Sequence, residues 1–201
     1  MNINKALILL LAVALLPFSA QAYFPFGGAT VPVGGSAGSW SPGYAVGVET
    51  SVSSRHGLDW HAVFSAVRVT PNAVDLLRTE GRELKVEKNQ GWSLSLEASL
   101  LASKTLFTTA NDKALFRVFG GAGLFYLQDA DVFVGGFQPV GSSAVNRQRR
   151  IEGQTLITPG ITLGIAGLVA GSVEPTVRLQ HIFTGDTPRD YLLIGLNLLP
   201  R

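Results

Sequence analysis

Trp92-Ser93-Leu94-Ser95-Leu96-Glu97-Ala98-Ser99-Leu100 sets an apolar residue at every even position and a polar one at every odd position. A period of two belongs to a strand, because successive side chains leave opposite faces of a sheet. One face here is wholly apolar, and the other carries three serines and a carboxylate.

The pattern spreads outward from that stretch. Tyr44, Val46, Val48, Thr50 and Val52 alternate with Ala45, Gly47, Glu49 and Ser51. Phe116 to Tyr126 alternates around Arg117, and Val173 to Leu179 alternates with Glu174, Thr176 and Arg178. Leu192, Ile194, Leu196 and Leu198 share a face near the C-terminus. Strands are predicted near 42–53, 58–70, 91–102, 114–127, 154–166, 172–183 and 190–199. Each is about ten residues or more, the length a tilted strand needs to cross a bilayer. Linkers alternate between short ones and the long Pro71–Gln90 and Gln128–Gly153, and this order requires an eighth strand. Phe24–Gly34 is the place for it, in spite of Pro25 and Pro32.

Gly153–Val173 runs 21 residues without a charge, enough for a membrane helix. Its odd positions (Ile157, Pro159, Ile161, Leu163, Ile165) and even ones (Thr158, Gly160, Thr162, Gly164) make it a strand instead. At the N-terminus, one lysine, the apolar run Ala6–Leu16, Pro17 and Ala20-Gln21-Ala22 form a cleavable export signal. Residues 1–22 are therefore expected to be removed, leaving 23–201 as one barrel domain.

Composition narrows the class. Charged residues make up 15% of the 201, against about 25% in soluble domains. There are 23 glycines, 10 prolines and no cysteine, so disulfides, thiolate metal sites and cysteine nucleophiles are excluded. A net charge of +2 carries no nucleic-acid footprint. His56, His61 and His181 show no metal-ligand spacing. Gly120-Gly121-Ala122-Gly123 lacks the strand–turn–helix context of a nucleotide loop. No cofactor and no metal is expected.

The fold class expected is all-β: a closed, antiparallel up-and-down transmembrane barrel of about eight strands. Its apolar faces meet lipid, and its polar faces, with Glu49, Glu97, Arg117, Glu174 and Arg178, line a narrow lumen where opposite charges can pair. Phe119 and Phe125 add bulk that would plug it.

Phe119-Gly120-Gly121-Ala122-Gly123-Leu124-Phe125-Tyr126 resembles the glycine-aromatic strand of small eight-stranded outer-membrane barrels. That resemblance implies an outer-membrane location, insertion by the barrel-assembly machinery, and contact with outer-membrane lipid and lipopolysaccharide. Val177-Arg178-Leu179-Gln180-His181-Ile182-Phe183 is similar to the histidine segment of lipid A 3-O-deacylases. It implies His181 as a base, with Asp190 or Asp186 to orient it. Phe183 stands where that family has its serine, so no nucleophile is identified. Arg147, Arg149 and Arg150 form a basic cluster expected in a long outer loop, suited to lipopolysaccharide phosphates.

The function expected is a structural, adhesive or narrow-pore outer-membrane barrel. The alternatives are a lipid A acyl hydrolase and a soluble periplasmic barrel holding a lipid inside.

Overall fold

The computed structural model describes residues 23–71, 76–80, 83–89, 91–108, 114–139, 146–167, 173–185 and 188–198. The expected export signal lies outside them. In chain order the strands are β1 (Tyr23–Val33), β2 (Trp40–Arg55), β3 (Leu58–Pro71), β4 (Leu76–Glu80), β5 (Glu83–Asn89), β6 (Trp92–Thr108), β7 (Ala114–Pro139), β8 (Asn146–Gly167), β9 (Val173–Ile182) and β10 (Arg189–Leu198). A short 3₁₀ turn, Gly34–Ser36, follows β1.

Eight of these strands close on themselves. The ladder runs β1–β2–β3–β6–β7–β8–β9–β10 and returns to β1, antiparallel throughout. Following the register from Tyr23 through Thr50, Ala62, Leu100, Ala122, Ile161, His181 and Asp190 returns to β1 at Val33. Tyr23 and Val33 are ten positions apart, which is the stagger of the barrel. With eight strands it sets a tilt of about 40° and an interior just wide enough for side chains.

The alternation resolves into inside and outside as expected. Glu97 is 1% exposed, while Leu100, on the opposite face of the same strand, is 47% exposed. Tyr44, Val46, Leu124, Ile157, Leu163, Ile165, Ile194 and Leu196 are exposed on the outer wall. The soluble lipid-binding alternative needs the reverse, with apolar faces inward. Arg68 and Lys104 bracket the apolar band. Arg68 is level with Leu94 in the register, and Leu94 to Lys104 is ten residues of β6. At about 3.3 Å per residue and that tilt the two lie about 25 Å apart along the barrel axis, the height of a barrel's lipid-facing band.

Three local features differ from the sequence-based expectation or explain it. The first strand forms despite its prolines, because among the described residues Pro25 pairs with β2 alone and Pro32 with β10 alone, at opposite ends of the ladder, where a missing N–H costs least. Pro159 in β8 loses little. Its carbonyl accepts from Phe183 N–H at 3.1 Å, so its missing N–H faces β9 just past that strand's last residue. The short β2–β3 link is a two-residue turn, His56-Gly57, with φ of 55° and 74°. Two left-handed residues match the twist of a tight hairpin.

The long linkers 71–90 and 128–153 are corrected: both contain strands. β7 and β8 run past the barrel and stay paired from Phe137↔Asn146 downward. β5 pairs with Phe133–Pro139 of β7, and β4 pairs with β5. The extension is a four-stranded sheet at the end of the barrel away from the His56-Gly57 turn. Short apolar runs broken by Gly135-Gly136 and many charges hid it, and a distant stretch of β7 supplies the partner of β5.

Candidate functional site

The lumen is closed by a ring of side chains from β2, β7, β9 and β10. Arg117 donates from Nε and Nη2 to the two oxygens of Glu174, each at 2.7 Å, and from Nη1 to Glu49 Oε1 at 2.9 Å. Arg178 Nη2 donates to Glu49 Oε2 at 2.9 Å and to Asn197 Oδ1 at 3.1 Å. Asn197 Nδ2 donates to Glu174 Oε2 at 2.7 Å, which completes the circuit. Two guanidiniums thus face two carboxylates, and the bidentate fork is the strongest geometry for such a pair. His61 sits beside the ring, its Nδ1 3.2 Å from Glu49 Oε1 and its Nε2 2.9 Å from Ser103 Oγ.

Arg178 Nε and Nη1 have no hydrogen-bond acceptor among the described residues. Aromatic faces take that role. The guanidinium carbon lies 4.0 Å from the Phe26 ring centre and 5.3 Å from that of Phe119, which is cation–π geometry. The rings need room, and inward glycines supply it. A Cβ on Gly47 would meet Phe26 at 2.5 Å, one on Gly160 would meet Phe125 at 2.6 Å, and one on Gly164 would strike Phe119.

Glu97 is handled differently. Its Oε2 accepts from Ser65 Oγ and Gln180 Nε2, both at 2.6 Å, and its Oε1 from Ser99 Oγ at 2.7 Å and Thr162 Oγ1 at 2.8 Å. Four neutral donors satisfy one buried carboxylate, with no cation bonded to it among the described residues. All five charges assigned to the lumen from sequence are there. Asn197, Gln180, Thr162 and His61 were missed as members, although their strand parity put them on the same face.

A second pair crosses the mouth of the barrel on the side of the extension. Arg189 Nη1 donates to Asp129 Oδ1 at 2.9 Å, and its Nη2 bonds Asp129 Oδ2. Ser93 Oγ donates to Asp129 Oδ1 at 2.6 Å, and the Trp40 ring lies 5.3 Å from the guanidinium. The pair borders a cavity of about 370 Å³ that Trp40, Ser36, Gln154 and Leu156 also line. Sequence gave no pointer to it, because β7 and β10 meet across the mouth only after the barrel closes.

His181 and Asp190 do come together. They are register partners on β9 and β10, with Nδ1 and Oδ1 2.6 Å apart, on the outward parity of both strands. Asp190 N–H donates to Ser36 Oγ at 3.1 Å, and Gly34 packs against the Asp190 carboxylate. The Phe183 ring meets the imidazole edge-on at 4.7 Å, at the position where a serine would be needed. Thr158 Oγ1 is committed to Phe183 O. The contacts make the pair a clasp between β9, β10 and the 3₁₀ turn. Asp186 lies outside the described residues.

Arg147, Arg149 and Arg150 are not in a loop. All three stand in β8, opposite Gly136, Val134 and Phe133 of β7. Arg147 and Arg149 therefore share one face of the extension, and Arg150 falls on the other. Lys88 is opposite Val134, so it joins the face of Arg147 and Arg149.

No protein-family model matches the chain, and no curated protein matches it in sequence. Solved structures do. The crystal structure of Ail, the attachment invasion locus protein of Yersinia pestis, is similar with a TM-score of 0.50 at 8% identity, over 88% of this chain and 96% of that one. Ail in complex with the heparin analogue sucrose octasulfate gives 0.50 at 7% identity, over 90% and 99%. Neisserial surface protein A gives 0.47 at 13% identity, over 90% and 99%. With the closed ladder and the inverted polarity above, the first two establish that this chain has the fold of the small eight-stranded outer-membrane β-barrels.

Proposed function

We propose that this chain is an integral outer-membrane barrel with a shut lumen, whose work is done by the sheet held outside the membrane as an adhesive or structural surface. The observation that carries this is the pairing of a filled interior with strands that outrun it. The Arg117–Glu49–Arg178–Asn197–Glu174 circuit and the Phe26, Phe119 and Phe125 rings occupy the bore, while β7 spans 26 residues where about ten cross a bilayer. The structural likeness to Ail, which binds a heparin analogue in one crystal structure, supports a polyanion as the partner class. On this chain the matching feature is Lys88, Arg147 and Arg149 on one sheet face, at register positions that include no acidic residue. Lipopolysaccharide phosphates are the nearest such polyanion.

Two measurements test this. Reconstituted barrels in a planar bilayer are expected to show no open-channel current, and a steady conductance would overturn the shut lumen. Replacing Lys88, Arg147 and Arg149 together by Ala is expected to weaken retention on immobilised lipopolysaccharide at least tenfold, with Arg150→Ala weaker in effect. Equal retention of the triple variant would end the polyanion assignment.

The 2.6 Å His181–Asp190 contact favours one second reading, an acyl hydrolase acting at the lipid-facing wall. His181→Asn would then abolish release of acyl chains from lipopolysaccharide. A parent protein that releases none ends that reading.

A further inference from the structure

The outer wall is apolar along most of its height, yet Arg68 stands exposed on it. It faces outward on β3, level with Tyr44 of β2 and Leu94 of β6. Its one hydrogen bond among the described residues is a long one, 3.5 Å from Nη1 to the Tyr44 hydroxyl. No carboxylate of the described residues lies within ion-pair distance. The outward acid Asp190 is held by His181, on the far side of the barrel.

Beneath Arg68 the wall is hollow. Ala66 sits between Val46 and Leu96 in the register, and the small side chain leaves a groove of about 450 Å³. Tyr44, Ala66, Arg68, Trp92 and Leu94 line it. A cation, two amphipathic aromatics and an apolar trough therefore adjoin one another at the outer margin of the lipid-facing band. Tyrosine and tryptophan belong at the headgroup level, with their polar atoms toward water. A guanidinium there attracts a phosphate, which it can grip with two parallel N–H bonds. The trough below suits a hydrocarbon chain.

We propose that this groove is a binding site for a phosphorylated, multiply acylated glycolipid of the outer leaflet, with its phosphate on Arg68 and one acyl chain laid over Ala66 between Leu94 and Tyr44. The proposal rests on the membrane assignment above. It is separate from the polyanion face of the extension, because it involves the wall of the barrel and requires the acyl chain.

The test uses the full barrel in detergent, titrated with bisphosphorylated lipid A, dephosphorylated lipid A and inorganic phosphate, with bound lipid counted by native mass spectrometry. The expected result is one preferred lipid A per barrel, weakened about tenfold by Arg68→Gln and also by Ala66→Leu, which fills the trough and keeps the charge. Lys104→Gln, at the opposite margin, is expected to leave binding unchanged. Dephosphorylated lipid A is expected to bind at least tenfold more weakly, and inorganic phosphate not to compete. Wild-type binding by both groove variants, equal binding of dephosphorylated lipid A, or competition by inorganic phosphate would overturn the proposal. Heat-modifiable gel mobility of the same samples reports the folded membrane barrel, so a barrel that passes it and binds no lipid A sinks the groove alone.

Discussion

Arg178 and Arg68 are the same residue type on opposite sides of one sheet. Arg178 is 1% exposed in the lumen, bonded to Glu49 and Asn197 and lying against Phe26. Arg68 is exposed on the wall, with a tyrosine hydroxyl as its one hydrogen-bond partner among the described residues. The contrast shows where each charge finds its counter-ion. Inside, Arg178 is buried away from lipid and bulk solvent, and the protein supplies the carboxylate. Outside, the bilayer can serve, and the protein leaves the position open. The two arginines should therefore respond to mutation in opposite ways: one in stability, the other in lipid binding.

The largest break in that contrast is Glu49→Ala. It leaves two buried guanidiniums without one of their carboxylates, and a loss of about 3–5 kcal/mol is expected in urea unfolding from detergent micelles. Unchanged stability would show that the lumen charges are solvated after all. Converting Glu49→Gln and Arg178→Met together should cost less than Glu49→Ala, because no charge is then stranded next to Glu49's former place except Arg117, which keeps Glu174. Next comes Gly164→Leu, which drives a side chain into the space of Phe119 and should cost about 1–3 kcal/mol by overpacking. Asp129→Asn loosens the clasp across the mouth, and its partial exposure limits the cost to about 1 kcal/mol. Arg68→Gln should sit at the bottom of the series, within about 0.5 kcal/mol of the parent. A loss like that of Glu49→Ala would give Arg68 a structural partner and erase the contrast.

Much of the barrel was legible because its polarity is written with a period of two. Trp92–Leu100 gave the lipid face and the lumen face of β6, and Glu49, Arg117, Glu174 and Arg178 announced the ring by their parity. Pro25 and Pro32 made β1 look poor, since a local view cannot see that neighbours on both sides hold the strand. The place of β5 in the extension was illegible for a related reason: it pairs with β7 residues about fifty positions away. The Arg189–Asp129 clasp and the Arg68 groove depend on which strands become neighbours. The sequence offered Asp186 or Asp190 as a partner for His181, and the register sets Asp190 opposite it; the clasp with Gly34 and Ser36 had no local signal. Arg147 and Arg149 were foreseen as a cluster with Arg150, and only the register separates them.

The lumen circuit has a kinetic corollary. Glu49 and Arg178 are 129 residues apart, and Arg117 must reach across from β7 to both β2 and β9. The Glu49–Arg178 bond joins β2 to β9 across the β1–β10 seam, so it cannot form in a curved sheet whose first and last strands have not met. Such an intermediate would leave Arg178 without its carboxylate beside hydrocarbon, where nothing solvates it. Seam closure and neutralisation of Arg178 are therefore expected to coincide, and the long sequence separation of that contact makes the step slow.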